Sequence, residues 1–492
     1  WRTRTMFRKS RVAPLQPGEF QYFAEPTREP VESQRLIFDL PADMPLYADA
    51  RGYEARAPVT AGGRTRYEFV YRHGPYAAIE HGALGYADYG DRLMVSTVPS
   101  YAAFAERYRS AAVDASASDA AVVELAQALT ANAPDDWSKA RVLYDWMRAN
   151  VRYVALFLGQ SAAKPHRVID VLHNRYGDCK DHVALFGALL AAVGIRSEPA
   201  LVALGPVYTL PSVPGYGSSA INHVMAWMPD LGRFADTTAG GTEFGFLPSA
   251  VMDRPALLVD EGVLARTPAT QPRARNARVQ LAIDASGAAR YAYRVEDSGW
   301  TAESERNMFR RATRERIQQI AYDRLRQAGF TGTASLQTDD VAATRGSFAV
   351  SMRGALEHVV WPDGVTALPA ISSLSGGIAT QVEQWLAVPE RTQPYVCIGG
   401  TFEEAGEIDL PQNVATLHVP DDVTVSEGAF EYASHYVFDP ETRIVQITRR
   451  LRADFGKQVC TPREFAAERG ALARIERDAL AQIVVQARAN PR

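Results

Sequence analysis

The chain has 492 residues, which at roughly 100 to 200 residues per domain predicts about three domains. Hydrophobic residues make up 47% and charged residues 22% of the chain. Both values are ordinary for globular proteins and exclude a disordered, collagenous or coiled-coil chain. The net charge is −4, so no strong positive field attracts nucleic acid or an anionic membrane, and we expect no nucleic-acid partner.

The first 100 residues are predicted to be rich in β structure. Short apolar runs at residues 36–40 and 67–71 alternate with Gly and Pro, as is typical of strands joined by tight turns. The chain begins at Trp1 without an apolar signal-type segment. We therefore expect a mature or trimmed product whose first β domain is incomplete.

The apolar period becomes helical after residue 101. Val122, Ala126 and Leu129 share one helical face, and residues 137–147 predict a second helix. A third helix is predicted over residues 179–193, because it follows a turn sequence and stops at Gly194. The longest nearly apolar stretch lies inside it and has about 12 residues, fewer than the ~20 that cross a bilayer, so no transmembrane segment is predicted.

Strand-like segments follow at residues 197–204, 221–228 and 233–236. The last region combines further β runs with one long charged helix over residues 302–328 and a terminal helix over 462–486. Helices followed by sheet indicate an α+β fold. We predict an N-terminal β-rich domain over 1–105, a central core over 106–270 and a C-terminal β-rich domain with helices over 271–492.

Cys179 stands where a turn opens into the third helix. Free backbone N–H groups at a helix start favour a thiolate over a thiol, so the residue is a candidate nucleophile. The alternative is a small buried hydrophobe, the commoner role of a lone cysteine. Zinc is disfavoured, because the spacing of Cys179 and His182 matches no common zinc site, and we expect neither a metal ion nor a cofactor.

His223 and Asp236 lie on two strands joined by a turn near Pro229 and Asp230. A turn centred on those two residues pairs His223 directly with Asp236, whereas a shift by one residue leaves them diagonal on the same face. A cysteine, a histidine as its base and an aspartate that orients the imidazole form a thiol triad. Taken singly, His223 fits a core histidine and Asp236 a turn or cap residue.

The sequence resembles a known family at these positions. The run from Tyr176 through Gly177-Asp178-Cys179-Lys180-Asp181 to His182, with Asn222-His223-Val224 and Asp236-Thr237-Thr238, is similar to the bacterial transglutaminase-like core, a papain-like thiol fold. The resemblance covers about residues 115 to 260. The flanking parts resemble two β-rich domains that often surround this core in exported bacterial proteins.

The resemblance implies that Cys179 is the nucleophile, His223 the general base and acid, and Asp236 the orienting carboxylate. It also suggests Gln160 as an oxyanion donor beside the Cys179 N–H, and Trp227 as an aromatic residue near the substrate, although Trp227 equally fits a core tryptophan. Thr237 departs from the proline that many relatives have after the aspartate.

The activity implied is thiol-dependent acyl transfer or hydrolysis on amide bonds of peptide or protein substrates, through a thioester. The alternative is a catalytically silent binding or assembly module of the cell envelope. We expect a periplasmic or cell-envelope location, and a membrane-proximal position stays open. Cys397 and Cys460 form either a disulfide, which fits an oxidising compartment, or two separate buried thiols.

Overall fold

The structure is a computed structural model that describes residues 5–9, 18–29, 31–113, 119–155, 164–343, 345–371, 374 and 376–487. The chain forms two compact units. The first contains the described residues of Trp1–Ile79, Leu84–Gly240 and Leu247–Pro268, and the second those of Glu80–Ala83, Gly241–Phe246 and Ala269–Arg492. The three-domain division with boundaries after residues 105 and 270 stays a prediction.

The first unit combines small sheets with a group of helices. Its elements are β1 (Gln21–Ala24), β2 (Gln34–Pro41), β3 (Tyr47–Asp49), β4 (Glu54–Ala55), β5 (Val59–Ala61), β6 (Arg64–Tyr71), α1 (Tyr86–Tyr89), β7 (Leu93–Ser96), α2 (Tyr101–Ala112), α3 (Ala120–Thr130), α4 (Asp136–Asn150), β8 (Arg152–Tyr153), α5 (Val168–Asn174), β9 (Tyr176–Gly177), α6 (Cys179–Ala191), β10 (Glu198–Val202), β11 (His223–Met228), β12 (Arg233–Ala235), β13 (Pro255–Leu258) and β14 (Val263–Arg266).

Strands β1, β7 and β3 form one sheet of this unit, and β2, β6 and β4 form another, with β5 paired to β6. A five-stranded antiparallel sheet has the order β12-β11-β10-β13-β14. Helices α3, α4 and α5 pack around α6, which itself packs against β11. This contact brings the start of α6 near the strand that begins at His223.

The β11–β12 hairpin departs from the predicted register. Its turn is a short 3-10 helix, Pro229–Leu231, closed by Gly232 with a φ of 58°. A left-handed residue at the end of the turn suits glycine, which has no Cβ. The turn therefore takes four residues instead of two, Ala226 pairs with Ala235, and β12 ends before Asp236. The predicted direct pairing of His223 with Asp236 is therefore wrong, and the register is that of the alternative with the turn centre shifted by one residue, which leaves the two residues diagonal on the same face.

The second unit is built on one large sheet. Its elements are β15 (Arg273–Ile283), β16 (Ala289–Gly299), α7 (Trp300–Arg310), α8 (Arg314–Gln327), β17 (Thr331–Gly332), β18 (Ser335–Thr338), β19 (Phe348–Glu357), β20 (Val365–Pro369), α9 (Ile378–Leu386), β21 (Tyr395–Val396), β22 (Gly400–Asp409), β23 (Val414–His418), β24 (Thr424–Glu427), β25 (Phe430–Asp439), β26 (Ile444–Ala453), β27 (Val459–Cys460), α10 (Pro462–Ala479) and β28 (Gln482–Ala487). The order in the sheet is β17-β19-β16-β15-β22-β26-β25-β24, with β18 on β19.

Two predicted helices of this unit need correction. The single helix over residues 302–328 is two helices, because Thr313 leaves the helical conformation and caps α8 by accepting from the Arg316 N–H. The terminal helix stops at Ala479, and the apolar alternation that follows it forms strand β28 between β20 and β23. The α+β fold with a central transglutaminase-like core and flanking β-rich regions is confirmed.

Cys397 and Cys460 form a disulfide, with their Cα atoms 5.8 Å apart. Both residues are buried, in the same apolar cluster of the second unit. Of the two arrangements that the sequence leaves open, the structure has the disulfide. Among the residues that the structure describes, no helix is both long and apolar enough to span a membrane.

Candidate active site

Cys179 is the first residue of α6. The Asp178 side chain caps the helix, and Asp181 completes the capping box by accepting from the Asp178 N–H at 3.1 Å. Cys179 is 9% exposed and lies in an apolar cluster with Val183 and Val224. The helix start therefore holds the sulfur in a little-hydrated place beside backbone N–H groups that favour negative charge.

His223 and Asp236 meet at a single hydrogen bond. His223 Nε2 lies 3.0 Å from Asp236 Oδ2, and both side chains are 3% exposed. The diagonal placement produced by the longer turn still leaves the two side chains on one side of the sheet. Because Nε2 bonds the carboxylate, Nδ1 is the ring nitrogen left for another partner.

The Cys179 side chain is the other neighbour that acts on this imidazole, through a hydrogen bond and through its charge. Burial alone would lower the pKa of His223, but the charge of Asp236, the hydrogen bond to it and the bond to Cys179 outweigh burial and raise the pKa above its ordinary value. Burial likewise opposes ionisation of Asp236, yet His223 and two bonds from Thr238 hold its pKa below the ordinary value. The pair therefore favours imidazolium beside carboxylate, the charge state that accompanies a thiolate.

Contacts from two helices and a turn fix the segment that carries Asp236. Asp236 Oδ1 accepts from the Thr238 N–H at 3.0 Å and from the Thr238 hydroxyl at 2.6 Å. The Tyr144 hydroxyl of α4 donates to the Asp236 carbonyl at 3.1 Å. His182 Nδ1, one turn along α6 from Cys179, lies 3.2 Å from the Thr237 carbonyl. The nucleophile's helix thus also anchors the chain next to the carboxylate.

Three tyrosines lie near Cys179: Tyr108 and Tyr216 belong to its apolar cluster, and the Tyr153 ring packs against His182, one turn along α6. Burial is the main cause that raises the pKa of all three hydroxyls, and neighbouring negative charges that include Cys179 raise it further. The pKa of Tyr153 rises to about 12. Tyr108 is buried, whereas Tyr153 is 40% exposed. All three hydroxyls therefore stay protonated near neutral pH and can donate hydrogen bonds.

The structure does not bring every predicted residue to this place. Gln160 lies outside the described residues. Trp227 packs with Phe234, their ring centroids 4.4 Å apart, beside an apolar cluster of the five-stranded sheet. Four residues along a strand separate it from His223 by about 13 Å. This partly buried position fits the core tryptophan that the sequence left as the alternative.

The described residues contain no group of three or more His, Cys, Asp or Glu side chains placed to hold a metal ion. His166 and His182 each have another partner. His166 Nδ1 lies 3.0 Å from Asp181 Oδ2, and His182 Nδ1 lies 3.2 Å from the Thr237 carbonyl. Burial also lowers the pKa of His182.

Sequence reasoning missed the residues that support the triad from distant segments. Tyr108 comes from α2 and Tyr144 from α4, and Tyr216 precedes β11. Nothing in their local sequence distinguishes these tyrosines from core residues.

Comparison with known proteins supports the family. Residues 123–230 match the model of the transglutaminase-like superfamily. The crystal structure of a putative protease from Parabacteroides distasonis ATCC 8503 is similar over 96% of this chain and 76% of that one, with 15% sequence identity and a TM-score of 0.62. At that identity the similarity shows a shared fold. No curated protein matches the chain.

A second solved structure, of a putative cysteine protease from Cytophaga hutchinsonii, matches 45% of this chain and 71% of that one, with 14% identity and a TM-score of 0.20. That score is too low to show a common fold. The family model supports a thiol-enzyme function. The chain contains a transglutaminase-like domain, as the sequence predicts.

Proposed function

We propose that this protein is a cysteine enzyme that cleaves or transfers amide bonds of peptide or protein substrates, with Cys179, His223 and Asp236 as its catalytic triad. The observation that carries the proposal is the buried hydrogen bond between His223 and Asp236, at 3.0 Å, with Cys179 as the second group that acts on the same imidazole. A core histidine would need only one such partner, whereas a general base needs both.

The first half of the reaction forms a thioester. His223 Nδ1 takes the proton of the Cys179 thiol, and the Asp236 carboxylate stabilises the imidazolium. The thiolate attacks the carbonyl carbon of the amide, and the Cys179 N–H at the helix start donates to the developing oxyanion. The imidazolium then returns the proton to the leaving nitrogen as the C–N bond breaks.

The second half returns the thiol. An amine or a water molecule attacks the thioester carbonyl, His223 takes its proton, and the imidazolium protonates the departing sulfur. Transfer to an amine is transamidation, and transfer to water is hydrolysis. The solved structure from Parabacteroides that shares this fold is named a putative protease, which supports including peptide bonds among the amides tested.

We also propose an exported, cell-envelope location. The disulfide between Cys397 and Cys460 supports it, because disulfides persist in oxidising compartments and are rare in the cytosol. Peptides and proteins of that compartment are the partners that fit this location.

The alternative, a binding module without turnover, is favoured by one observation: Cys179 is only 9% exposed. Catalysis requires that a substrate carbonyl reach the sulfur, whereas binding at another surface does not require an accessible sulfur.

One experiment separates these functions. The protein is incubated with a Gln-containing peptide and a labelled amine, and products are followed by mass spectrometry for the wild type, Cys179→Ala and His223→Asn. His173→Asn is the matched control, since His173 is an exposed histidine of α5. Amine incorporation that both site variants abolish supports acyl transfer, and release of ammonia or peptide fragments without incorporation supports hydrolysis. Equal results for all four proteins would support the binding module.

A further inference from the structure

Lys180 follows the proposed nucleophile in the chain and has no part in the reaction just described. Its side chain is 6% exposed, unusually low for a lysine, and its ammonium forms an ion pair with the Asp178 carboxylate, which is 3% exposed. The two members of the pair therefore flank Cys179 on either side.

Asp178 and the sulfur share the same surroundings. The charges of both act on Tyr153 of β8, and both act on Tyr108 of α2. Asp178 also caps α6, with its Oδ1 3.4 Å from the Asp181 N–H. A helix cap does not require a charge, since asparagine and serine serve as well as aspartate.

Negative groups crowd the place where a thiolate has to form. The titratable and charged side chains near Cys179 come from the start of its own helix and from the elements packed against it: Asp178, Lys180, Asp181, His182, Tyr108, Tyr153, Tyr216, His223 and Asp236. The three carboxylates are buried, and Lys180 and a protonated His223 are the buried cations among them. Like charges in a little-hydrated place repel strongly.

We propose that Lys180 is a positioning residue for catalysis: its ammonium neutralises Asp178 and thereby keeps the Cys179 thiolate available near neutral pH. This inference rests on the proposed function. Without the Lys180 ammonium, the Asp178 carboxylate would oppose the formation of the Cys179 thiolate. His223 alone would then have to offset the charges of the carboxylate and the thiolate. His166 gives Asp181 a comparable partner, with Nδ1 3.0 Å from Oδ2, but its ring is 56% exposed and screened by water.

The test uses the pH dependence of Cys179 alkylation by iodoacetamide in the whole, non-reduced protein. The other two cysteines are in the disulfide, so the label reports on Cys179 alone. Lys180→Met should raise the pH of half-maximal alkylation by roughly one unit. Asp178→Asn keeps the helix cap and leaves Lys180 unopposed, so it should lower that pH. The double variant should fall near the wild type, and Lys180→Arg should retain most of the wild-type behaviour.

A merely structural pair gives a different result: Lys180→Met would lower the melting temperature without moving the pH of half-maximal alkylation, and that outcome overturns the inference. If Lys180→Met does not fold, the pH of half-maximal alkylation is compared between Asp178→Asn and the double variant. Both of these proteins lack the carboxylate at residue 178, so neither contains an unpaired buried charge there. A higher pH for the double variant supports the role of Lys180, and equal values overturn it. Ordinary thiol behaviour in the wild type would instead contradict the proposed function itself.

Discussion

His223 takes its charge state from its two neighbours more than from its burial. A buried imidazole without partners stays neutral, but the Asp236 carboxylate at 3.0 Å and the bond to Cys179 favour the charged ring. A pKa that is raised in the folded state contributes stability that is complete below the ordinary value of 6.5 and is lost as the pH rises through the raised value. The contribution of this site to the free energy of unfolding should therefore decrease at alkaline pH.

This stability effect can be measured by urea unfolding at a series of pH values. The free energy of unfolding of the wild type should fall, relative to that of His223→Asn, as the pH rises from 6.5 into the alkaline range, because the wild type loses its buried imidazolium and carboxylate pair. His173→Asn should track the wild type throughout. A difference between wild type and His223→Asn that stays constant with pH would contradict the charged pair.

Asp236 is expected to act on the rate through the imidazole. Asp236→Asn keeps the size of the side chain but removes the charge that orients and stabilises the imidazolium, so kcat should fall on the order of 10³- to 10⁴-fold. Steady-state kinetics on the amide substrate found above would measure the loss. A variant that retains wild-type kcat would remove Asp236 from the triad.

Among the elements, α6 and α4 hold the two halves of the site together. The start of α6 carries Cys179, its next turn carries His182 against the Thr237 carbonyl, and Tyr144 of α4 donates to the Asp236 carbonyl. Rigid helices are better supports for such geometry than loops. The position of Asp236, beyond the end of β12, is therefore set by helix contacts rather than by strand pairing.

Tyr144→Phe tests this support. Removing the hydroxyl leaves a buried backbone carbonyl without that donor, which should lower the free energy of unfolding by about 1 to 3 kcal/mol and reduce kcat, with little change in KM. Tyr322→Phe is the comparison, since that tyrosine is 39% exposed and belongs to α8 of the second unit. Chemical denaturation and steady-state kinetics measure the two effects, and an unchanged kcat in Tyr144→Phe would show that strand pairing suffices to place Asp236.

The same elements show what the sequence could and could not predict. The start of α6 was predictable because Asp178 is a cap residue followed by a helical apolar pattern. The meeting of His223 with Asp236 followed from the hairpin, but the register did not, since the conformation of Gly232 decides the turn length. The break at Thr313 was hidden because charged residues on both sides carry no clear apolar period.

For the molecule as a whole, composition and order of elements give the α+β class, whereas pairings between distant segments become visible only in the structure. The two tyrosines from α2 and before β11 that reach Cys179 are examples. The disulfide is another: 63 positions separate Cys397 from Cys460, and sequence alone left their state open. In the second unit this bond joins the segment of β27 to the region of β21.

Breaking the disulfide should destabilise the protein. Closing a loop of this length restricts the unfolded chain, so Cys397→Ala with Cys460→Ala should lose roughly 2 to 4 kcal/mol of unfolding free energy and melt at a lower temperature. Wild type in reducing agent should melt like this variant, and Cys179→Ala in oxidising buffer should keep its bond. Identical melting of the oxidised wild type and the double variant would show that the bond does not stabilise the fold.

The most direct test of the account is the reactivity of one sulfur. Cys179 alkylation is followed against pH in the wild type and in His223→Asn, with His173→Asn as control. We predict half-maximal reaction in the wild type well below the value of about 8.5 for an ordinary cysteine, and a shift toward that value in His223→Asn only. Half-maximal reaction at the ordinary value in all three proteins would contradict the proposed triad.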